Sequence, residues 1–475
     1  MLRTHYIKEA KKNAGKEVQV AGLVHEIRDL GKLIFIQLRD RTGIVQVTAK
    51  KGAVPDEVME AMKRNKEDVI SVTGIVKENK IAPDGMEISP SKVAVLSKVE
   101  RKLPVDPTGM VPSELDIRLN YRYLDLRKKD VNAIFNIKSE IVRSFRERCT
   151  QLGFMEIHPT SIVAAATEGG TEVFAVEYFE QKVFLAQSPQ LYKQMAVVGG
   201  LDKVFITSPV FRAEKHHTTT HLNEVIQMDI EMGFADDKDA MDVLSDVSLH
   251  ILKNVEKMKD ELALLNPEFE APKEAPRHTY TELVDLLGEN NFKMEWGEDF
   301  SKEAEKKLGE ILQEDLFLIN DWPTNVRAFY SMPKEGDEKV CKAFDLLYKG
   351  LEIASGAQRI HIPEMLEKQL ESRGLNPRNF DFYIDAFRVG APPHAGWSIG
   401  LERLTMKVTN RENIRECMLF PRDRTRVHPY IREVQAQNFS LILFSLKRNA
   451  KGLCLTNSLA FAMSSFFSSC VKSCE

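Results

Sequence analysis

Two arginines, a glutamate and a serine have the types and spacing to act on a phosphate. Arg212 closes an apolar run and opens Arg212-Ala213-Glu214, followed by a polar loop and His221-Leu222-Asn223-Glu224. An arginine at a strand end, a loop and a returning strand set a guanidinium against a phosphate held on a sheet. Its planar fork meets phosphate oxygens bidentately. Arg403 ends Gly396-Trp397-Ser398-Ile399-Gly400-Leu401-Glu402-Arg403 and opens a helix continuing to Lys407. The glycines there let a ligand approach the backbone closely. Glu352 and Ser355 are hard oxygen donors three residues apart, suited to Mg²⁺ held jointly with substrate phosphates. Taken singly, either arginine is more commonly a surface ion-pair partner, and Glu352 reads equally as a solvated strand residue. The ordered set is the specific signal.

The familiar phosphate loops, G-x-x-x-x-G-K-[S/T] and G-x-G-x-x-G at a strand end, are absent. If the chain uses a nucleotide, side chains must cradle it. His216, His217 and His221 lack a carboxylate or thiol set to complete a metal site, so the loop is read as facing a ligand rather than a metal.

The elements that position these residues fall into two parts. Residues 16–100 carry β-branched runs at Val18–Val24, Leu33–Leu38, Ile44–Thr48, Val69–Val76 and Val93–Leu96, with turn signals between them and one helix over Pro55–Lys66. Five strands with a helix after the third is the layout of an OB-fold barrel, which often binds single-stranded nucleic acid. A barrel with no ligand is the plainer alternative. Pro104, Pro107 and Pro112 punctuate a stretch read as a hinge over 104–130, with the barrel domain spanning 1–103. From 131 to 429 the pattern is α+β. A helix at Val131–Leu152 is followed by a strand at Phe154–His158, antiparallel strands, and a mostly helical Lys/Glu-rich insertion over about 236–330. The tail, 430–475, is rich in Ser, Phe, Leu and Cys and is expected to be poorly ordered.

At 475 residues, with 43% hydrophobic and 29% charged residues, two domains and a connector are expected. A formal charge of −4 argues against a generic polyanion binder, so an RNA partner must meet a local basic surface. The six cysteines form no C-x-x-C pair, and the polar, basic start is no secretory signal. The expected location is the cytoplasm, with no membrane association.

Phe211–Glu224 resembles motif 2 of class II aminoacyl-tRNA synthetases, and Gly400-Leu401-Glu402-Arg403 resembles motif 3. The helix and strand ending at Pro159 resemble motif 1, the dimer-forming segment. The HIGH and KMSKS signatures of class I synthetases are absent. Thr167–Glu172, Gln187-Ser188-Pro189-Gln190-Leu191-Tyr192-Lys193, Glu352–Arg359, Arg3–Tyr6 and Phe420–Arg424 complete a resemblance to archaeal-type aspartyl-tRNA synthetases over residues 1–429. The implied fold is an N-terminal five-stranded OB-fold barrel plus a class II catalytic domain, an antiparallel sheet flanked by helices. The implied reaction joins L-aspartate to tRNA at the expense of ATP, with Mg²⁺, in a homodimer.

By that resemblance, Arg212 holds the α-phosphate and the carboxylate being activated, and Arg403 the γ-phosphate. Ala213 and Glu214 meet the adenine side. Thr220, His221 and Leu222 line the ATP site with Gly400, Leu401 and Glu402. Glu352 and Ser355 hold Mg²⁺. Glu168 and Gln190 recognise the α-amino group, with Leu191, Tyr192 and Ser355 beside them. Lys193 and Arg359 face the side-chain carboxylate. A buried cationic pair of that kind favours aspartate over neutral asparagine, and asparaginyl relatives generally lack the lysine at 193.

In the barrel, Phe35 and Gln46 match positions that stack on and hydrogen-bond an anticodon base in this family, with Glu78 a further candidate. Phe35 as a barrel core residue is the alternative. His25 and Pro83 stand where members specific for tRNA(Asp) carry Trp and Lys. His and Pro are typical of members that also charge tRNA(Asn), whose product an amidotransferase must then convert. Thr220 replaces a usual arginine, Val225 an aromatic, and Ala357 and Ala395 common glycines. An asparagine-activating relative, a silent RNA-binding paralogue and an ammonia-dependent asparagine synthetase are the competing readings. Lys193, the persistence of the phosphate residues, and the barrel argue against them in turn.

Overall fold

The computed structural model describes residues 2–82, 85–164, 173–215 and 218–427. It divides into two compact units, one ending at Ser113 and one beginning at Glu114.

In the first unit, alternation sets the barrel. Ile34, Ile36 and Leu38 on one strand and Val45, Val47 and Ala49 on the next are fully buried, while Phe35, Gln37, Gln46 and Thr48 between them are not. Strands β1 (Glu17–Asp29), β2 (Leu33–Asp40), β3 (Gly43–Lys50), β4 (Val69–Glu78) and β5 (Met86–Ser97) close in the order β1-β2-β3-β5-β4. The helix Asp56–Ala61, after β3, plugs the barrel with Val58 and Met59. The pairing of β1 with β2 slips between Val24 and Glu26, which makes His25 the extra residue of a bulge. Backbone bonds from Val24 to Asp68 (2.9 Å) and from Glu67 back to Val24 (2.7 Å) pin it.

The second unit begins earlier than the hinge reading implied. Helices Leu115–Asn120 and Arg122–Asp125 belong to it. Arg122 is buried and donates to Asp125 and to the carbonyls of Glu416, Met418 and Leu419. The charged residues at this end of the span read as a hinge are internal ion pairs.

The short strands β6 (Met155–Glu156), β7 (Ile162–Val163), β8 (Ala175–Tyr178) and β9 (Gln181–Leu185) precede the rest. These are β10 (Lys203–Phe211), β11 (Glu224–Gly233), β12 (Arg277–Thr279), β13 (Leu316–Pro323), β14 (Pro333–Lys334), β15 (Asp337–Tyr348), β16 (Glu352–Gln358) and β17 (His394–Gly400). Among the described residues β7, β9 and β8 make a small sheet. The main sheet runs β12-β13-β15-β16-β17-β11-β10-β6, with β14 on β15. The long central pairings are antiparallel. The span 236–330 is thus not wholly a helical insertion, since it supplies β12 and β13. Leu316, Phe317, Leu318 and Ile319 form a continuous buried run that periodicity alone does not separate from a helix.

One face of the sheet is apolar. Met228, Ile230 and Met232 of β11 and Trp397 and Ile399 of β17 pack with the helices Lys129–Gln151, Asp237–Val255 and Leu401–Val408 in one core. The alternate residues of the same strands are polar and point the other way. That second face carries the candidate site.

Candidate active site

A transverse row crosses four strands in register on the polar face: Asp229 of β11, Ser398 of β17, Ser355 of β16 and Asp345 of β15. In a regular strand Glu352 and Ser355, three apart, would face opposite sides. The pairing of β15 with β16 slips at Ile353, so that Leu347 meets Glu352 while Leu346 meets Ala354. The bulge leaves Ile353 and Ala354 buried, with Glu352 half-buried and Ser355 exposed. Both oxygen donors are thereby free of the core.

Two adjoining cavities lie on this face and share Arg327. The first, about 170 Å³, is lined by His221, Lys302, Glu305, Asp345, Glu352 and Arg403 among others. Arg403 donates to the Glu352 carboxylate at 3.2 Å and to its carbonyl at 3.1 Å, with His221 Nε2 3.4 Å away. Burial, reinforced by Arg403, Lys302 and Arg212, pushes the His221 imidazole down to about 4, so the ring is neutral. Burial pushes the Asp345 carboxyl up against the pull of Arg327. One of its oxygens bonds Arg327 and the other is buried without a partner among the described residues. No group of three or more His, Cys, Asp or Glu able to cage a metal exists among the described residues. Glu352, Ser355 and Asp345 are instead an open set of hard donors, suited to an ion that keeps substrate oxygens and water as its other ligands.

The second cavity, about 100 Å³, is lined by Gln190, Lys193, Arg212, Asp229, Ser355 and Arg359 among others. Lys193 and Arg359 are buried there as expected, yet they are not an uncompensated cationic pair. Lys193 Nζ lies 2.9 Å from Asp229 and 3.5 Å from Glu231, and Arg359 Nε lies 2.9 Å from Glu231. All four side chains are nearly or fully buried, so two cations balance two carboxylates. Burial pushes the Asp229 carboxyl up, with Lys193 opposing. Burial would raise Glu231 too, but Arg359 and Lys193 hold it below the usual range. Gly396 makes the cluster possible, because a Cβ there would meet a Glu231 oxygen at 2.3 Å. The Arg212 guanidinium has no hydrogen bond or ion pair among the described residues. Asn223 Nδ2 ties the turn behind it, donating to the Arg212 and Glu214 carbonyls.

Several expected contacts are turned away. Glu402 is buried, with its carboxylate 2.6 Å from Lys138 Nζ and accepting from Ile226 N at 2.9 Å, so it braces the sheet rather than a nucleotide. Leu401 and Leu222 sit in the apolar core on the opposite face. On the helix Gln190–Ala196, only Gln190 and Lys193 reach the cavity. Leu191 is in a separate apolar cluster, and Tyr192 does not line the pocket. Gly400 is the N-cap of the Arg403 helix. Glu214 stands 3.9 Å from His221. Thr220 accepts from Lys302 Nζ at 2.5 Å, which brings a cation beside the position where an arginine is usual. Val225 is partly buried against the core. Glu168, Pro83, His216 and His217 and the tail from 428 lie outside the described residues. Sequence reading missed Asp229, Glu231, Lys302, Glu305, Arg327 and Asp345. The polar positions alternating with Met228, Ile230 and Met232 were the available signal for the first two.

In the barrel, Phe35 is half-buried on the outer face opposite Arg28 and Thr48, and it is not a core residue. Gln46 donates to Glu87 (3.1 Å) and Thr48 (3.2 Å) on that face. Glu78 is exposed at the end of β4. His25 Nδ1 lies 2.8 Å from Arg39, and Arg39 is clamped by both oxygens of Glu67 at 2.8 and 2.9 Å.

The polar sheet face thus presents arginines, carboxylates and a buried charge-balanced pocket, an arrangement suited to binding a charged ligand. The family of class II tRNA synthetases (D, K and N) matches residues 114–424, and the OB-fold nucleic acid binding domain matches residues 18–96. The chain belongs to the class II tRNA synthetases of this group. It is 51% identical over 431 residues to the aspartate–tRNA(Asp/Asn) ligase of Methanocaldococcus jannaschii, covering 90% of this chain and 98% of that one. It is also 51% identical over 421 residues to the Methanopyrus kandleri protein of the same name, covering 87% and 96%. Among solved structures, asparaginyl-tRNA synthetase from Pyrococcus horikoshii with asparaginyl-adenylate superposes with a TM-score of 0.85 at 32% identity, over 90% of this chain and 100% of that one. Aspartyl-tRNA synthetase from Entamoeba histolytica gives 0.80 at 33% identity, over 88% and 91%. No helix among the described residues is long and apolar enough to cross a membrane.

Proposed function

We propose that this chain activates L-aspartate with ATP and transfers it to the 3′ end of both tRNA(Asp) and tRNA(Asn). The observation that carries the choice of amino acid is that two buried cations, Lys193 and Arg359, line the same cavity as Arg212, whose guanidinium has no hydrogen bond or ion pair among the described residues. Those two cations take the substrate's side-chain carboxylate. Gln190, with Glu168, takes its α-ammonium.

In the first step an α-carboxylate oxygen attacks the α-phosphorus in line, the bond to the β-phosphate oxygen breaks, and pyrophosphate leaves. Arg212 draws the two anions together and Arg403 steadies the leaving group, so positioning and charge supply the catalysis. Glu352 and Ser355, with Asp345 beside them, are the residues that would hold Mg²⁺, which neutralises phosphate charge when bound. In the second step the terminal ribose hydroxyl attacks the activated carbonyl and AMP leaves. Phe35 stacks on an unpaired anticodon base, Gln46 hydrogen-bonds it, and Glu78 makes a further anticodon contact. His25 and Pro83, in place of a bulky indole and a cation, tolerate either third anticodon base. We place the protein in the cytoplasm as a homodimer whose aspartyl-tRNA(Asn) passes to an amidotransferase.

ATP–pyrophosphate exchange with aspartate and with asparagine tests the amino acid, and charging of both unmodified transcripts tests the RNA. Exchange driven by asparagine alone would overturn the first assignment. Failure to charge tRNA(Asn) would overturn only the second.

A further inference from the structure

Behind the amino-acid cavity runs a chain of buried hydrogen bonds that starts at a backbone carbonyl. The Pro392 oxygen can only accept, and His394 Nδ1 lies 2.9 Å from it, so Nδ1 carries the proton. His394 is wholly buried and stacks on Phe387 at 5.7 Å. Burial lowers its pKa, with Arg359 and His361 acting the same way and Glu231 opposing. The ring is neutral, and Nε2 is a lone-pair acceptor.

Gln194 Nε2 lies 2.8 Å from that atom and must donate to it. The Gln194 carbonyl oxygen therefore faces the other way, where it accepts from Tyr383 Oη and from Gln190 Nε2, each at 2.9 Å. Gln190 spends its NH₂ inward. Its remaining amide atom, the carbonyl oxygen, has no hydrogen bond to a described residue, and Gln190 lines the cavity. Each amide has one donor end and one acceptor end, so the polarity set at Pro392 propagates without a free choice.

We infer that His394, Gln194 and Tyr383 are positioning residues that fix the Gln190 amide with its carbonyl oxygen toward the amino-acid pocket. The inference rests on the reading that Gln190 meets the substrate's α-ammonium. An ammonium has three donors and no acceptor, so it binds the oxygen end of an amide and is repelled by the NH₂ end. Reversing the relay would present the wrong end.

The test pairs two variants of the full chain. His394→Phe keeps the aromatic stack but accepts nothing from Gln194. The expected result is a rise in KM for aspartate of about tenfold to a hundredfold, with KM for ATP and kcat little changed. His394→Gln, whose side-chain oxygen can accept from Gln194, restores most of the loss. Nitrogen-15 histidine spectra of the wild-type protein, with the His394 signal identified by its absence in H394Q, should show Nδ1–H and a bare Nε2. An aspartate KM in H394F within twofold of wild type, or an Nε2–H tautomer in the wild type, overturns the relay. A wild type that cannot activate aspartate would instead refute the underlying reading, and the tautomer result would still stand by itself.

Discussion

Lys193→Met is the most informative single change, because the lysine serves the fold and the substrate at once. Its ammonium is fully buried and meets Asp229 at 2.9 Å, Glu231 at 3.5 Å and the Trp397 carbonyl at 3.3 Å. Removing it leaves two buried carboxylates facing one guanidinium. Breaking a buried pair costs about 3–5 kcal/mol. Asp229, already pushed up by burial, relieves part of this by taking a proton, so the loss at neutral pH should fall near 3 kcal/mol. The sign with pH follows. A carboxyl whose folded pKa lies above its unfolded value gives stability at low pH that is lost as pH rises, so the deficit should be larger at pH 8 than at pH 5.

The same variant should lower kcat/KM for aspartate in pyrophosphate exchange by about two to three orders of magnitude, roughly 3–4 kcal/mol, with KM for ATP unchanged. Adding Asp229→Asn removes the orphaned carboxylate. Denaturant titration should then recover at least about 1.5 kcal/mol as coupling between the two sites, while aspartate activation stays low. A K193M protein that loses under about 1 kcal/mol and exchanges aspartate within tenfold of wild type would refute the reasoning.

Lys302→Ala should raise KM for ATP about fivefold, a modest effect because the lysine is exposed, and leave KM for aspartate alone; steady-state exchange kinetics report both. Glu305, pushed up to about 7 by burial and by Glu352, should cost the nucleotide-free protein stability as pH rises through 7. Glu305→Gln should accordingly stabilise at pH 8.5 by up to about 3 kcal/mol, by about 1 kcal/mol at pH 5 and by almost nothing at pH 3.5, read by denaturation at the three pH values. Phe35→Ala should weaken tRNA charging by about 1–3 kcal/mol without changing pyrophosphate exchange.

The barrel was readable because its signal is local. Alternation at Ile34, Ile36 and Leu38 fixes inside and outside, and the structure puts Phe35 on the outer face. Arg212 and Arg403 were readable as motif residues, and each lines a cavity on the polar face. What stayed hidden depends on register and long-range pairing. Asp229 and Glu231 look like solvated strand residues until Lys193 and Arg359, distant in sequence, arrive beside them. Glu402 sits inside a recognisable motif yet bonds Lys138, a partner that no local pattern reveals. Arg118, Arg122 and Asp125 fell inside the hinge reading because the prolines before them were the visible signal and buried ion pairs leave no local pattern.

The slipped residue at Ile353 has a consequence of its own. The two halves of β16 run out of phase, and the counting offset between them is what lets an acid and a hydroxyl spaced by three share a side. Taking out the slipped residue would leave the acid and the hydroxyl two apart in an unbroken strand, still on one side, whereas straightening the strand at the present spacing would swing the acid across the sheet. The placing of these two oxygen donors is encoded jointly in their spacing and in the register of the strand, which scanning one side chain at a time would never expose.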